Sequence, residues 1–393
     1  MIEAEFFYKQ LIDRGAGFFC GVPDSLLKSF CAYITDHSSC ETHCIAVNEG
    51  AAIGLAAGYH LATGGIPVVY MQNSGIGNAI NPLLSLADSD VYRIPMALVI
   101  GWRGEPGVSD EPQHVKQGKV TLSLLEAMNI PYSVLSTNEQ EAAKQIQKCF
   151  NTLTQKSAPF ALVIQKDTFA PYTLQTKTPD PAGAVMTREE AIETIIETII
   201  TKDGGKGIIV STTGMASREL FELREKYKMG HERDFLTVGS MGHAASIALG
   251  IALQRPELPV TILDGDGASL MHLGALRAIG DGCAKAETKL KNLRHIVLNN
   301  EAHDSVGGQP TIAGFGILAN IASASGYPLT YQAKNPDELK RALTDTGAGE
   351  GARFIEVSVK KGARKDLGRP TTTPQENKRA FMDYINEETR RKV

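Results

Sequence analysis

The feature that most constrains the fold is an alternation of short apolar runs with helical patterns, which continues along most of the chain. Three runs in the N-terminal half are apolar on both faces, as is typical of strands buried in a parallel sheet: 66–72, 94–101 and 160–165. Segment 49–64, before the first run, and segment 138–155, before the last, have the composition of helices. Strands that alternate with helices predict an α/β fold with a doubly wound parallel sheet.

A break in this alternation divides the chain. Residues 171–184 (PYTLQTKTPDPAGA) contain three prolines and no apolar periodicity, which predicts a linker. The alternation then restarts, with Thr187 as the expected N-cap of the next helix. We therefore expect two doubly wound domains, 1–170 and 185–367, and a C-terminal extension over 368–393 that contains a charged helix.

Composition excludes several classes of function. The formal net charge of −4 over 393 residues provides no basic field for nucleic acid and no polybasic patch for a membrane surface. The N-terminal sequence lacks the basic and apolar regions of a signal peptide, and no apolar run approaches the ~20 residues that cross a bilayer. The six cysteines form no C-x-x-C pair, which favours reduced thiols. We expect a cytoplasmic protein that binds neither nucleic acid nor membranes.

Polar side chains end two of the predicted strands in the C-terminal half. In LDGDGASL, Asp266 stands between Gly265 and Gly267, and IVLNNEAHDSVGGQ carries the pair Asn299–Asn300. Ligands of such sheets bind beyond the carboxyl ends of the strands. Carboxylate and amide oxygens suit Mg²⁺ or Ca²⁺, and glycine lets the backbone approach a phosphate. The pattern predicts a site for a diphosphate with a divalent cation; the alternative is that the glycines only form turns.

The GDG and NN motifs together resemble the cofactor-binding motif of thiamine diphosphate (ThDP) enzymes. The resemblance implies that Asp266, the Asn300 side chain and the carbonyl of Ala302 hold Mg²⁺ on the diphosphate, and that Ca²⁺ or Mn²⁺ could replace it. The stretch between the motifs is a few residues longer than is usual, and we assign the excess to a surface insertion within 283–292. The neighbouring residues implied to bind the cofactor are Gly265, Gly267 and Ala268.

The resemblance also requires a glutamate beside the aminopyrimidine ring of ThDP. Glu49, in CIAVNEGAAIGLAAGYHLATG (44–64), opens a helix of small residues and matches this requirement. A carboxyl at that position is implied to promote removal of the proton from the thiazolium ring. Taken alone, Glu49 could be a solvent-facing acid favoured by the helix dipole. Its occurrence with the GDG and NN motifs favours the catalytic role.

Further positions of the sequence resemble cofactor-binding or catalytic positions of ThDP enzymes. In VGSMGHAASIALG (238–250), the carbonyl of Gly239 is implied to contact the 4′-amino group, and Met241 to wedge between the two rings. In CGVPDSLLKSF (20–30), Ser25 is the implied polar catalytic residue, with Asp24 as its neighbour. The other positions implied to lie near the cofactor are Asn73, Thr213, Gly214 and Ser240.

Two departures from the larger ThDP decarboxylases narrow the resemblance. The short linker leaves no middle domain, and segment 101–118 (GWRGEPGVSDEPQHVKQG) stands where those enzymes carry paired histidines. These features, with NNEAHDSVGGQPT and DLGRPTTTPQENK, resemble the branch that decarboxylates phosphonopyruvate. The implied reaction is ThDP- and Mg²⁺-dependent, non-oxidative conversion of 3-phosphonopyruvate into phosphonoacetaldehyde and CO₂, a step of phosphonate biosynthesis. Sulfopyruvate or another 2-oxo acid is the alternative substrate.

The distal anion of such a substrate needs cationic or N–H donors. The candidates are Arg103, His114, Lys116 and His303, with Arg364 and Arg369 as further possibilities. The loops expected to carry His114 and His303 would border the cofactor, so both histidines are also catalytic candidates.

Two other classes of function remain open. A ThDP-dependent carboligase or dehydrogenase component would share every cofactor residue, but the sequence offers no cue for an acceptor site or for docking a lipoyl domain. A non-catalytic binding protein would have no reason to combine Glu49 with Asp266 and Asn300. The resemblance further implies a homodimer or homotetramer, with active sites at the interface between subunits related by two-fold symmetry.

Overall fold

The computed structural model describes residues 1–176, 178–345 and 350–390. They divide into two compact units, Met1–Thr178 with His303–Gln309 and Pro179–Ala302 with Pro310–Val393. Each unit is built on one six-stranded parallel sheet, so the predicted doubly wound α/β class is confirmed for both. Within the described ranges, no helix is long and apolar enough to span a bilayer.

The sheet of the first unit has the strand order β2-β1-β3-β4-β6-β5. Its strands are β1 (Ala16–Gly21), β2 (His43–Ile45), β3 (Ile66–Gln72), β4 (Ala97–Gly101), β5 (Tyr132–Val134) and β6 (Phe160–Ile164). Its helices are α1 (Ala4–Ile12), α2 (Lys28–His37), α3 (Glu49–Thr63), α4 (Ile76–Pro82), α5 (Pro112–Ala127) and α6 (Glu139–Lys156). A 3-10 turn, Asn73–Gly75, joins β3 to α4.

Central strands of this sheet are buried on both faces, which explains why they read as unbroken apolar runs. Along β3, Val68 and Tyr70 pack into one hydrophobic cluster, whereas Val69 and Met71 pack into another on the opposite face. Alternate side chains of a strand point to opposite faces, so a two-sided core needs apolar residues at successive positions. Helices cover both clusters and leave the carboxyl edge of the sheet to its turns.

The sheet of the second unit has the order β11-β12-β10-β9-β7-β8. Its strands are β7 (Ile208–Ser211), β8 (Asp234–Leu236), β9 (Val260–Gly265), β10 (Leu293–Asn299), β11 (Leu329–Ala333) and β12 (Arg353–Ser358). Its helices are α7 (Arg188–Asp203), α8 (Met215–Lys226), α9 (Ala244–Gln254), α10 (Asp266–Met271), α11 (Gly274–Lys285), α12 (Ile317–Ala324), α13 (Pro336–Thr344) and α14 (Pro374–Arg390).

Local signals set the ends of several helices. Thr187 caps α7 as predicted: its side chain accepts from the N–H of Glu190, whose carboxylate accepts in return from the N–H of Thr187. The C-terminal helix belongs to the second unit, because Asn377 accepts from the N–H of Leu236 and donates to the carbonyl of Asp234. These bonds tie α14 to the edge strand β8.

The predicted surface insertion over 283–292 is only partly at the surface. Cys283 still belongs to α11, and Leu290 is fully buried in the core of the second unit. The turn is also anchored by Asn292, whose amide nitrogen lies 3.0 Å from the carbonyl oxygens of Arg255 and Leu258. The segment therefore contributes to packing as well as lengthening the chain between the two motifs.

Candidate functional site

Four predicted site residues lie at one edge of the first sheet. Parallel strands end at the same edge, and Ser25 follows β1, Glu49 follows β2, Asn73 follows β3 and Arg103 follows β4. These four strands are neighbours in the order β2-β1-β3-β4. The fold therefore gathers residues from four separate sequence segments, as expected for a ligand-binding edge.

Glu49 is buried at the start of α3, with 5% of its surface exposed. The amide nitrogen of Asn78 lies 2.8 Å from Oε2 of Glu49 and donates to it. Gly75 permits this placement, because a Cβ atom there would lie 2.5 Å from Cγ and Cδ of Glu49. The preceding residue, Asn48, caps the helix by accepting from the N–H of Ala51. Glu49 is thus held in place, and the solvent-facing alternative is wrong.

Asn73, expected near the cofactor, directs its side chain into the protein. Its amide nitrogen donates to the carbonyl of Arg103 and to Oγ1 of Thr121, both at 2.8 Å. Its amide oxygen accepts from the N–H of Arg103 at 3.2 Å. The side chain is 1% exposed and therefore ties the turn after β3 to the turn after β4.

The two catalytic candidates after β1 differ in environment. Asp24 is fully buried, and its two carboxylate oxygens accept from the side chain of Gln72 (2.6 Å) and from the N–H of Leu26 (2.9 Å). It packs so closely over Gly101 that a Cβ atom there would overlap its carboxylate. Ser25 is half-buried, and its hydroxyl oxygen accepts from Nη1 of Arg103 at 2.6 Å. Asp24 anchors the turn. Ser25 belongs to a group of side chains, here called the cationic cluster, that also contains Arg103, Asp110 and His114.

Arg103 and His114 both bind Asp110, a residue that the sequence did not single out. Nε of Arg103 donates to Asp110 at 2.8 Å, Nη2 of Arg103 donates to the other carboxylate oxygen, and Nδ1 of His114 lies 2.9 Å from that same oxygen. Burial raises the pKa of Asp110, but hydrogen bonds from Arg103 and His114 outweigh it and hold that pKa well below its usual range. Asp110 is therefore ionised at neutral pH. The only sequence cue was its four-residue spacing from His114.

The remaining cationic candidates lie in different surroundings. His114 is buried in the first turn of α5 and not in a loop as predicted, whereas Lys116 is exposed on the same helix. Arg364 binds carboxylates of the second unit, including Glu189 at 3.1 Å and Asp366 at 3.2 Å. Arg369 is exposed. Burial lowers the pKa of His303 to about 4, so its imidazole is neutral at pH 7.

The second sheet brings together the two strand-end motifs. Strands β9 and β10 are paired in parallel with Gly265 opposite Leu298, so Asp266 and Asn300 follow adjacent strand ends. Oδ2 of Asp266 accepts from the hydroxyl of Thr311 at 2.6 Å. Oδ1 of Asn300 accepts from the N–H of Ala302 at 3.1 Å. Both side chains are 4% exposed and present oxygen atoms of the kind that Mg²⁺ prefers.

Asn299 faces the protein interior and is unsuited to the same task. Its amide nitrogen donates to the carbonyl of Ala313 at 2.5 Å and to Glu356 at 2.8 Å. Glu356 is fully buried and also accepts from the N–H groups of Gly316 and Ala319 at the start of α12. Burial raises the pKa of this carboxyl. Asn299 and Glu356 together fix the turn that carries Asn300.

Neighbouring turns leave room for a diphosphate. A Cβ atom at Gly265 or Gly214 would meet no atom within 4 Å, so open space adjoins both. Gly214 also has φ +94°, which favours glycine, and it precedes the N-terminus of α8. Gly267 and Ala268 lie in the first turn of α10. Oxygen ligands beside open glycine backbone fit a metal-bound diphosphate.

The predicted GSMG segment follows β8 at the same edge. Ser240 has φ +54° and Gly242 has φ +84°, so the backbone turns sharply on both sides of the half-buried Met241. Thr213, which follows β7, donates its hydroxyl to the carbonyl of Val238 at 2.9 Å. This bond fixes the segment containing Gly239 beside the turn of Gly214.

Two family models match the chain. Residues 2–125 match the thiamine pyrophosphate enzyme N-terminal TPP binding domain, and residues 212–357 match the C-terminal TPP binding domain. Thiamine pyrophosphate is another name for ThDP. The chain belongs to the thiamine pyrophosphate enzyme family. The first match covers Glu49 and the cationic cluster, and the second covers Asp266 and Asn300.

Curated relatives agree with this assignment. The phosphonopyruvate decarboxylase of Streptomyces hygroscopicus is 33% identical over 98% of this chain and 95% of its own. That of Streptomyces viridochromogenes is 35% identical over 86% of this chain and 83% of its own. For the sulfopyruvate decarboxylase of Methanocaldococcus jannaschii, subunit beta is 40% identical over 41% of this chain and 79% of its own. Its subunit alpha is 34% identical over 40% of this chain and 89% of its own.

Proposed function

We propose that this enzyme is a carboxy-lyase that converts 3-phosphonopyruvate into phosphonoacetaldehyde and CO₂ with ThDP and Mg²⁺. The observation that carries the proposal is the turn Asn73–Gly75, which Glu49 contacts on one side and Arg103 on the other. A proton-handling carboxyl and a cationic cluster thus border one turn. This arrangement suits a 2-oxo acid with a second anionic group. The sequence identity of 33% and 35% with two phosphonopyruvate decarboxylases supports phosphonopyruvate as that substrate.

Bound ThDP would supply the electron sink that accepts the electron pair released as CO₂ leaves the substrate. Glu49 would share a proton with the aminopyrimidine ring, and Asn78 keeps its carboxylate oriented for that task. Since the hydroxyl oxygen of Ser25 accepts from Arg103, its own proton is available to the substrate carboxylate. Nδ1 of His114 is engaged by Asp110, which leaves Nε2 to move a proton at the product carbon.

On the second unit, Asp266, Asn300 and the carbonyl of Ala302 would hold Mg²⁺, which Ca²⁺ or Mn²⁺ could replace. Their oxygen atoms and the adjoining open glycine backbone support this assignment. The backbone would bind the diphosphate at Thr213, Gly214, Gly265, Gly267 and Ala268. The remaining cofactor contacts would come from Gly239, Ser240 and Met241.

The test compares CO₂ release from phosphonopyruvate, sulfopyruvate and pyruvate, each with and without ThDP and Mg²⁺. We expect release to require both cofactors and kcat/KM to be highest for phosphonopyruvate. A higher kcat/KM for sulfopyruvate would assign the reaction of the Methanocaldococcus jannaschii relative. No CO₂ release from phosphonopyruvate would refute the proposal, whatever the rates with the other two acids.

We further propose a homodimer or homotetramer in the cytoplasm, with each active site shared between subunits. In the Methanocaldococcus jannaschii relative, two separate subunits each match about two fifths of this chain, which supports an assembly of more than one chain. Helix α3 also exposes a surface of small and apolar residues, Gly54, Leu55, Gly58 and Leu61, suited to a subunit contact. Six free thiols support a reducing compartment.

Mixing two impaired variants, at a ThDP concentration that saturates the wild type but not Asp266→Ala, tests the shared site. In a dimer of one Glu49→Gln chain and one Asp266→Ala chain, one site would receive both substitutions and the other neither. We expect activity to return in part after subunit exchange, and each variant incubated alone is the control. Exchange verified by mass, without any recovery of activity, would mean that each chain builds its own site.

A further inference from the structure

Asp110 connects three candidate substrate-binding side chains in the first unit. It binds the guanidinium of Arg103 through two hydrogen bonds and the imidazole of His114 through one. Arg103 in turn donates to the hydroxyl of Ser25. Asp110 also accepts from the N–H groups of Gly104 and Glu111, both at 2.8 Å, so its carboxylate is fixed to the loop backbone. One anchored acid thus sets the orientation of the whole cluster.

Arg103 retains donors for a ligand. A guanidinium has five N–H groups. Two of those on Arg103 donate to Asp110 and one to Ser25, which leaves one on each terminal nitrogen for an anion. The cluster is also accessible, since 18% of the Arg103 side chain and 11% of the His114 side chain are exposed. A bidentate guanidinium is well suited to a phosphonate or sulfonate.

Charge alone cannot explain the arrangement. Arg103 and Asp110 neutralise each other, so Asp110 reduces the electrostatic attraction of the cluster for an anion. If attraction were the only requirement, the acid would be a disadvantage at an anion site. Its contribution must therefore be orientation, because two bonds lock the guanidinium plane and a third fixes Nδ1 of His114.

We infer that Asp110 is a positioning residue that aims Arg103 at the distal anionic group of the substrate and fixes the imidazole of His114 beside it. This inference rests on the proposed function, since it assigns that group to the cluster beside the Asn73–Gly75 turn. Glu49 contacts this turn at Gly75, and Arg103 is bonded to it at Asn73. The distal anion would therefore be bound close to the residue that handles the proton.

The first measurement is binding of phosphonoacetate, which carries a phosphonate and a carboxylate, by titration calorimetry with ThDP and Mg²⁺ present. Asp110→Asn keeps the size of the side chain but turns one acceptor into a donor that faces the N–H groups of Arg103. We expect the Kd to rise roughly ten- to a hundredfold, as for a lost charge-assisted hydrogen bond. Asp110→Glu, which keeps the carboxylate, should restore part of the affinity.

The second measurement separates substrate recognition from general damage. Asp110→Asn should raise the KM for phosphonopyruvate and leave the KM for pyruvate, which lacks a distal anion, unchanged. Asp203→Asn is the matched control, because Asp203 binds Arg294 through a similar pair of 2.7 Å bonds in the second unit. This control should leave the Kd for phosphonoacetate and both KM values unchanged.

Unchanged or tighter phosphonoacetate binding by Asp110→Asn would overturn the inference, and so would a lack of binding by the wild type. The proposed function fails separately, if the wild type releases no CO₂ from phosphonopyruvate. In that case the calorimetric comparison still decides whether Asp110 orients an anion site.

Discussion

Gly75→Ala should displace Glu49 without unfolding the first unit. The residue has φ −71° and ψ −16°, so alanine can adopt its backbone conformation without strain. The new methyl group would instead lie 2.5 Å from Cγ and Cδ of Glu49, well inside the 3.4 Å of an ordinary contact. The flexible carboxylate side chain yields more easily than the backbone. We therefore expect Glu49 to move by about 0.9 Å.

The expected loss of activity and of stability follows from that displacement. A shift of about 1 Å in a catalytic group lowers a rate by roughly a hundredfold. Moving the carboxylate also disturbs the 2.8 Å hydrogen bond from Asn78, at a cost of about 1 kcal/mol in stability, and crowding adds about 1–3 kcal/mol. We expect kcat to fall roughly a hundredfold, with a moderate loss of stability and an intact second unit.

The assay measures CO₂ release at saturating substrate and ThDP, together with chemical unfolding. Gly77→Ala is the matched control: Gly77 is exposed two residues further on, in α4, and a Cβ atom there would meet nothing within 4 Å. That variant should keep full activity and gain up to about 1 kcal/mol in stability. Turnover by Gly75→Ala within twofold of the wild type would refute the catalytic placement of Glu49.

Three further predictions concern single side chains. Glu49→Gln should bind ThDP normally, as measured by fluorescence titration, but lose roughly 10²–10⁴-fold in turnover, because an amide cannot share the proton; near-normal CO₂ release would contradict this role. Asp266→Ala should raise the ThDP concentration for half-maximal activity by roughly a hundredfold, because Mg²⁺ would lose the only charged side chain among its proposed ligands; wild-type saturation would place the metal elsewhere. Burial lowers the pKa of His43 from 6.5 to about 4, so the stability that depends on its neutral imidazole is present above pH 6.5 and lost as the pH falls towards 4. His43→Gln should therefore lose less unfolding free energy than the wild type between pH 7 and pH 5, and an equal loss in urea titrations would refute that contribution.

Sequence reasoning succeeded where the fold itself imposes proximity. Buried parallel strands read as apolar runs, and their carboxyl ends meet at one edge whatever the side chains do. The placement of Asp266 and Asn300 on adjacent strand ends follows from this rule, as does that of Glu49 and Ser25 along the first sheet. The helix start at Thr187 was also predictable, because a capping box is a local signal.

Side-chain partners were not predictable, because they depend on how irregular loops return to the sheet. Asp110 meets Arg103 only through the path of residues 104–109, which have no periodicity to read. Asp24 is a predicted catalytic candidate beside Ser25, and its carboxylate accepts from the side chain of Gln72, 48 positions away. Nothing local to either residue indicates the partner.

At three positions of the site, two adjacent polar residues have different roles, one structural and one functional. In each of three pairs, the first side chain bonds within its own unit and fixes a turn or helix end, while the second is the proposed catalytic or metal-binding group. The pairs are Asp24–Ser25, Asn48–Glu49 and Asn299–Asn300. A strand end needs this arrangement, because a functional side chain on an irregular turn is only as well placed as the backbone that carries it. The first residue of each pair is therefore as necessary as the second, although its loss acts through the position of the turn.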